Sequence, residues 1–234
     1  MDITFFTHSG FMVELEQHIL IFDYYQEPGV PGIALDVSTL PQKPIYVFAS
    51  HFHGDHFDPT ILDWAQTRPD IRYIFSKDIR HVKGPHYMGA HETITVDDVT
   101  VETLHSTDCG VAFVVTTEGR TIYHAGDLNW WHWNGETEAY NRQMAGDYRH
   151  EIDQLKGRHI DVAFVPVDPR LEDKYSWGMD YFMRTVGATY AFPMHMWGKF
   201  DWCQKLRQDP CSAPYRSALM DLHHPLETYS LKKF

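Results

Sequence analysis

The run Ile45-Tyr46-Val47-Phe48-Ala49 restricts the fold more than any other segment of this chain. An unbroken apolar stretch rich in β-formers, with no polar alternation, suits a strand buried on both faces. The run passes without a linker into Ser50-His51-Phe52-His53-Gly54-Asp55-His56-Phe57-Asp58-Pro59. Asp58 followed by Pro59 reads as a helix N-cap and first helical position, and Ile61, Leu62 and Ala65 supply an apolar stripe for the helix beyond. Three imidazoles and a carboxylate therefore sit on the turn between a buried strand and a helix.

The same grammar recurs along the chain. Residues 3–15 and 19–23 read as a hairpin pair, and further strands are expected at 71–75, 93–104, 111–116, 120–124, 161–165 and 189–192, with Asp97-Asp98 a turn within its segment. Over residues 136–156, Tyr140, Met144, Tyr148 and Ile152 recur every fourth position and Leu155 extends the stripe, so a helix is expected there, stopped by Gly157. Another helix is expected at 179–186. No shift of composition and no low-complexity linker marks a boundary, which favours one α/β unit over residues 1–234, with two similar halves allowed.

Composition narrows the classes. Hydrophobic residues make up 43% and charged residues 22%, which excludes a disordered or collagen-like chain. The net charge of −12 disfavours nucleic acid and anionic lipid, both of which are held through Lys and Arg. Cys109, Cys203 and Cys211 form no zinc-finger or disulfide pattern, so a cytoplasmic setting is expected. The first residues show no secretory signal, and no apolar stretch approaches the roughly 18 residues of a membrane span.

The chain carries 16 histidines, and their placement is the chemical question. On a loop after a strand, His51 and His53 can point the same way, while Asp55 and His56 lie on the next bend and can serve a second centre. Imidazole and carboxylate without thiolate suit Zn, Fe, Mn or Co. His105, Asp127 and His195 each end an expected strand, the position where sheet proteins collect site residues.

The order HxHxDH, then His105, then Gly126-Asp127, then His195 resembles the metallo-β-lactamase fold superfamily of metallohydrolases, over essentially the whole chain. That resemblance implies a four-layer αββα sandwich, two mixed β-sheets flanked by helices. It also implies two metals, zinc first with manganese or iron as alternatives. His51, His53 and His105 would hold one, Asp55, His56 and His195 the other, and Asp127 would bridge them. Thr7-His8-Ser9-Gly10-Phe11, Asp23 and Pro193-Met194-His195 are similar to the L-ascorbate 6-phosphate lactonase-like branch. Classical zinc β-lactamases place a Cys where Asp127 stands, and glyoxalase II-like thioesterases follow HxHxDH with Gly-Gly where this chain has Phe57-Asp58. Both activities are thereby disfavoured.

Hydrolysis follows from such metals, with Asp55 and Asp127 as the catalytic carboxylates and Asp108 or Asp168 as acceptors that orient the imidazoles. His8, His124, Trp130, Trp131 and Lys199 are candidate pocket residues, with Arg170 and Lys174 as further cations for an anionic group. His124 can equally be a hydrogen-bonded core residue, and the Trp130 segment can equally seat the 136–156 helix. His81, His86, His91, His132, His150, His159, His223 and His224 fit no ligand register. The expectation is a metal-dependent hydrolase of a small ester, lactone or phosphoester. The alternatives are a phosphodiesterase or nuclease on nucleic acid, which the charge opposes, and a non-catalytic metal-binding or sensing module, which a missing ligand would betray. Oligomeric state leaves no trace in the sequence.

Overall fold

In the computed structural model, which describes residues 1–80 and 82–232, Leu20, Phe22, Tyr46 and Phe48 belong to one buried cluster while Ile19, Ile21, Ile45 and Val47 belong to another. A period of two with both parities buried is the signature of strands covered on both faces, as expected for 45–49. These strands are β3 (Ile19–Phe22) and β4 (Ile45–Ala49). They lie in a seven-stranded mixed sheet with β1 (Asp2–Phe5), β2 (Phe11–Glu14), β5 (Ile71–Ser76), β6 (His86–Met88) and β13 (Thr228–Ser230), in the order β13-β1-β2-β3-β4-β5-β6. A six-stranded mixed sheet holds β7 (Thr93–Val96), β8 (Val99–His105), β9 (Val111–Thr117), β10 (Arg120–His124), β11 (Val162–Pro166) and β12 (Tyr190–Met194), in the order β12-β11-β10-β9-β8-β7.

The first cluster fills the space between the sheets, where Phe11 stacks on Phe164 at 4.2 Å and Phe48 meets Phe113 at 5.3 Å, and continues over the outer face of the smaller sheet. The second lies on the outer face of the larger sheet, beneath Ile61 and Trp64 of the helical segment that begins at Pro59. On the smaller sheet's outer face, Tyr123 stacks on Phe182 of α3 (Trp177–Thr185) at 5.0 Å, and Tyr148 of α2 (Glu138–Asp153) donates to the Gly178 carbonyl at 2.7 Å. Helix, sheet, sheet, helix is the expected four-layer order.

Local departures have local causes. Asp58 does cap, its carboxylate accepting the Thr60 N–H, but Pro59–Asp63 winds as a 3-10 helix and only α1 (Trp64–Thr67) is α-helical. The span 3–15 breaks into β1 and β2 around a turn that carries His8, whereas 93–104 divides into β7 and β8 at Asp97-Asp98 as expected. The helix α4 (Asp201–Gln208) and the strand β13 had no apolar run to announce them. No helix among the described residues is long and apolar enough to cross a membrane.

The sheets place the polar strand ends together at one edge. The Val111 N–H donates to the Ser50 carbonyl at 3.0 Å, tying the start of β9 to the end of β4. The Val167 N–H donates to Met194 at 2.8 Å, and the His195 N–H to His8 at 3.0 Å.

Candidate metal centre

Asp127, just past β10, is the point on which the imidazoles converge. His56 Nε2 lies 3.2 Å and His195 Nε2 3.3 Å from Asp127 Oδ1, and His51 Nε2 lies 3.4 Å from Oδ2. His53 Nδ1 lies 2.9 Å from His51 Nε2, and Asp55 Oδ2 lies 3.3 Å from His8 Nε2. All of these atoms come from loops that leave the sheets at the same edge.

Each imidazole facing Asp127 is oriented from behind. His56 Nδ1–H donates to Asp23 Oδ2 at 2.7 Å, and His195 Nδ1–H donates to Asp168 Oδ2 at 2.8 Å. His51 Nδ1 meets Ser50 Oγ at 2.9 Å, and that hydroxyl donates to Asp23 Oδ2 at 2.6 Å. With a proton fixed on Nδ1, Nε2 is the ring atom left facing inward, where it carries a proton toward Asp127 or, with that proton displaced, offers its lone pair to a metal, the arrangement that metal-ligating histidines use.

The electrostatics are those of a site made for cations. Burial alone would raise the Asp127 carboxyl, but the charges of His56, His195 and His51 hold it well below the usual range. Burial lowers His51 to about 4, and burial with the neighbouring His195 and His56 lowers His8. Burial also opposes the proton on His195, yet its contacts with Asp127 and Asp168 lift it to about 9. His8 Nε2, His56 Nε2 and Asp127 Oδ1 are buried without an aligned hydrogen-bond partner. Buried polar atoms left unpaired are costly, and lone pairs converging from imidazole and carboxylate fit a divalent metal ion.

The backbone is strained at the same place. His8, Asp23, His195 and Trp197 take φ of +49°, +43°, +67° and +54°, a region that non-glycine residues adopt at a cost.

The structure brings together His51, His53, Asp55, His56, Asp127 and His195, and with them the pocket candidate His8, whose ring lies 4.1 Å from that of His195. It does not bring in His105. That side chain is exposed at the end of β8, where its backbone N–H donates to Glu151. The nearby Asp108, exposed as well, has a ligand-type atom within 4.8 Å of those of His53 and Cys109. Of the two acceptors expected behind the imidazoles, Asp168 takes that role and Asp108 does not. The other one is Asp23, which the sequence marked by its position directly after an apolar strand and by the lactonase-like resemblance but gave no role behind an imidazole.

His124 is a core residue. It is fully buried, donates from Nε2 to the Ser9 carbonyl at 2.8 Å and stacks on Phe22, so it lines no cavity of the site. Trp130 seats the helices, packing on Tyr148, Trp177 and Tyr181. Trp131 does face the centre, lying edge-on to His195 at 5.5 Å and donating to the Asp127 carbonyl at 2.9 Å. Lys199 is exposed, and the cation at the cleft is Arg170. The Arg170 guanidinium lies 4.6 Å from the Trp197 ring and 5.6 Å from the Trp133 ring, with Nε and Nη2 held by Asp168. Arg170, Asp108, Asp127, Trp131, Trp133 and Tyr140 border a cavity of about 170 Å³. Other histidines serve elsewhere: His91 meets Glu151, His132 packs on Trp177 and His223 pairs with Glu227. His81 lies outside the described residues.

A family model described as the beta-lactamase superfamily domain matches residues 2–142. A UPF0173 metal-dependent hydrolase of Desulforamulus reducens is 27% identical over 187 residues, covering 71% of this chain and 72% of that protein. Among solved structures, the metallo hydrolase Igni18 of Ignicoccus hospitalis superimposes with a TM-score of 0.64 at 14% identity, covering 99% of both chains. The metallo-beta-lactamase fold protein YhfI of Bacillus subtilis does so with a TM-score of 0.60 at 13% identity, covering 97% of this chain and 98% of that one. The structural likenesses are likenesses of fold.

Proposed function

The chain belongs to the beta-lactamase superfamily and is a metal-dependent hydrolase, and from that premise we propose that it cleaves a small ester, lactone or phosphoester at a two-metal centre. The observation that carries this reading is the convergence of three Nδ1-anchored imidazoles on the two oxygens of Asp127. His51, His53 and Asp127 would hold one ion, and Asp55, His56, His195 and Asp127 the other. Bound there, divalent metal supplies an acidified water and polarises the bond to be broken.

The chain's own residues do the rest. Asp55, half-buried at the rim beside His8, is placed to accept a proton from the attacking water. Asp23 and Asp168 keep the imidazoles in the tautomer that leaves Nε2 free. Trp131 and Trp133, stacked nearly parallel at 5.9 Å, form an apolar wall that limits water on one side of the cleft. Arg170 retains Nη1 for an anionic group of the substrate after Asp168 has taken Nε and Nη2. The small cavity and the charge of −12 favour a small molecule over a polynucleotide.

The test is elemental analysis of protein loaded with Zn, Mn or Fe, coupled to a panel of lactone, phosphodiester, thioester and lactam substrates. The expected result is about two metal equivalents per chain and lactone or phosphoester turnover that a chelator abolishes. Protein that stays metal-free after loading overturns the reading.

A further inference from the structure

The loop after β8 reaches the rim of the cluster with a carboxylate, Asp108, while the imidazole of His105 joins no group of converging ligand atoms among the described residues. His105 and Asp108 are both exposed, but of the two only Asp108 places a ligand atom within 4.8 Å of one of His53. The loop itself is clamped. The Ser106 N–H donates to the Gly110 carbonyl at 3.3 Å, and Thr107 Oγ1 donates to the Asn129 carbonyl at 2.7 Å while accepting the Asn129 N–H at 3.0 Å. The Asp108 N–H donates to Ser106 Oγ at 3.2 Å.

Gly110 sets how closely the clamp approaches. Its φ is +70°, and a Cβ there would stand 1.9 Å from the Ser50 carbonyl oxygen and 2.6 Å from His51 Cβ. Only glycine lets the loop lie directly on the backbone that carries His51. The result is that Asp108 stands within 4.8 Å of His53, ligand atom to ligand atom, and shares a cavity with Asp127.

We propose that Asp108, and not His105, completes the first metal centre with His51, His53 and Asp127. This inference rests on the two-metal reading above. It gives that centre two imidazoles and two carboxylates, where the pattern seen in the sequence implied three imidazoles and the bridging carboxylate. A carboxylate in place of an imidazole makes the donor set harder, which shifts its preference from Zn toward Mn or Fe.

The experiment compares the full-length wild type with D108A, D108N, H105A and C109S, each loaded with Mn or Zn and read by elemental analysis and by competition with a chromophoric chelator. Melting of each metal-free variant shows whether it is folded. Wild type, H105A and C109S are expected to hold the same equivalents with the same affinities. D108A is expected to lose one equivalent, or to bind it at least about tenfold more weakly, and D108N to do the same while keeping the shape of the loop. A folded D108A or D108N that binds metal as fully and as tightly as wild type overturns the inference and leaves the two-metal reading standing. So does loss of an equivalent in H105A or C109S with both Asp108 variants unaffected. A wild type that takes up no metal overturns the two-metal reading, and this inference with it.

Discussion

Asp23→Asn changes one atom and should weaken the second metal centre without unfolding the chain. The Asp23 carboxylate is fully buried. Its Oδ1 accepts the Ser50 N–H at 2.7 Å, and its Oδ2 accepts the Ser50 hydroxyl at 2.6 Å and His56 Nδ1–H at 2.7 Å. An asparagine must put its amide nitrogen at one of these two places. Opposite the Ser50 N–H it would set donor against donor, and a backbone amide cannot reverse. Opposite Ser50 Oγ and His56 the conflict can be relieved, because the hydroxyl can turn and the imidazole can move its proton to Nε2. That second arrangement wins, and it aims an N–H at Asp127 Oδ1 where a lone pair had pointed, 3.2 Å away. Losing the carboxylate behind a metal-binding imidazole costs roughly 10- to 100-fold in affinity, or about 1.4 to 2.7 kcal/mol. Losing one charge-assisted hydrogen bond costs about 1.5 to 3 kcal/mol of stability, which for a chain of this size lowers the melting temperature by about 3 to 12 °C. Chelator competition on loaded protein and thermal melting of the metal-free protein read the two effects separately. Wild-type affinity at both sites in a folded Asp23→Asn protein would refute the tautomer argument.

Two further perturbations follow from the same geometry. Arg170→Gln removes the free guanidinium nitrogen at the cleft, so KM for an anionic substrate should rise roughly tenfold with kcat nearly unchanged, the pattern of lost uniform binding; equal KM values on steady-state assay would remove Arg170 from substrate recognition. Gly110→Ala places a methyl against Ser50 and His51 and forces a left-handed φ on alanine, which costs about 1 to 2 kcal/mol before any clash. Its melting temperature should fall by at least about 2 to 8 °C, and a melt that superimposes on the wild type's would show that the loop does not need its close approach.

The strand-end residues were legible because their signal is local. His51, His53, Asp55 and His56 directly follow an apolar run, as do Asp127 and His195, and a strand that ends at the common edge delivers whatever residue comes next. Asp23 obeys the same rule after Ile19–Phe22, but a single carboxylate after a strand does not say whether it faces a metal or stands behind an imidazole. The loop after β8 was legible only to within a few residues. His105 and Asp108 are three positions apart and both exposed, yet only Asp108 has a ligand atom near that of His53, and the approach of its loop depends on the contact of Gly110 with Ser50 and His51, about sixty positions earlier in the chain. No spacing rule within the loop contains that contact. The Trp130 segment divides in the same manner, Trp130 serving the helices and Trp131 the centre, because consecutive side chains leave a loop in different directions.

The strained residues show why sequence rules give out here and not in the core. β3, β4 and β11 satisfy propensity, patterning and burial together, and their placement follows from those rules. His8, Asp23, His195 and Trp197 break the propensity rule, since each holds a left-handed φ that glycine or asparagine would adopt at less cost. Penalties of about 1 to 3 kcal/mol at such residues persist only where the surrounding structure imposes them. Here the imposing contacts are identifiable: the Asp23 carboxylate is held by Ser50 and His56, and the His195 ring by Asp168. Strained residues and the unpaired atoms of His8, His56 and Asp127 therefore coincide where several ligand atoms meet from different loops. A bound cation relieves the unpaired atoms and leaves the backbone strain in place. The metal-free protein should accordingly be the less stable form, while its loops remain arranged for metal before metal arrives.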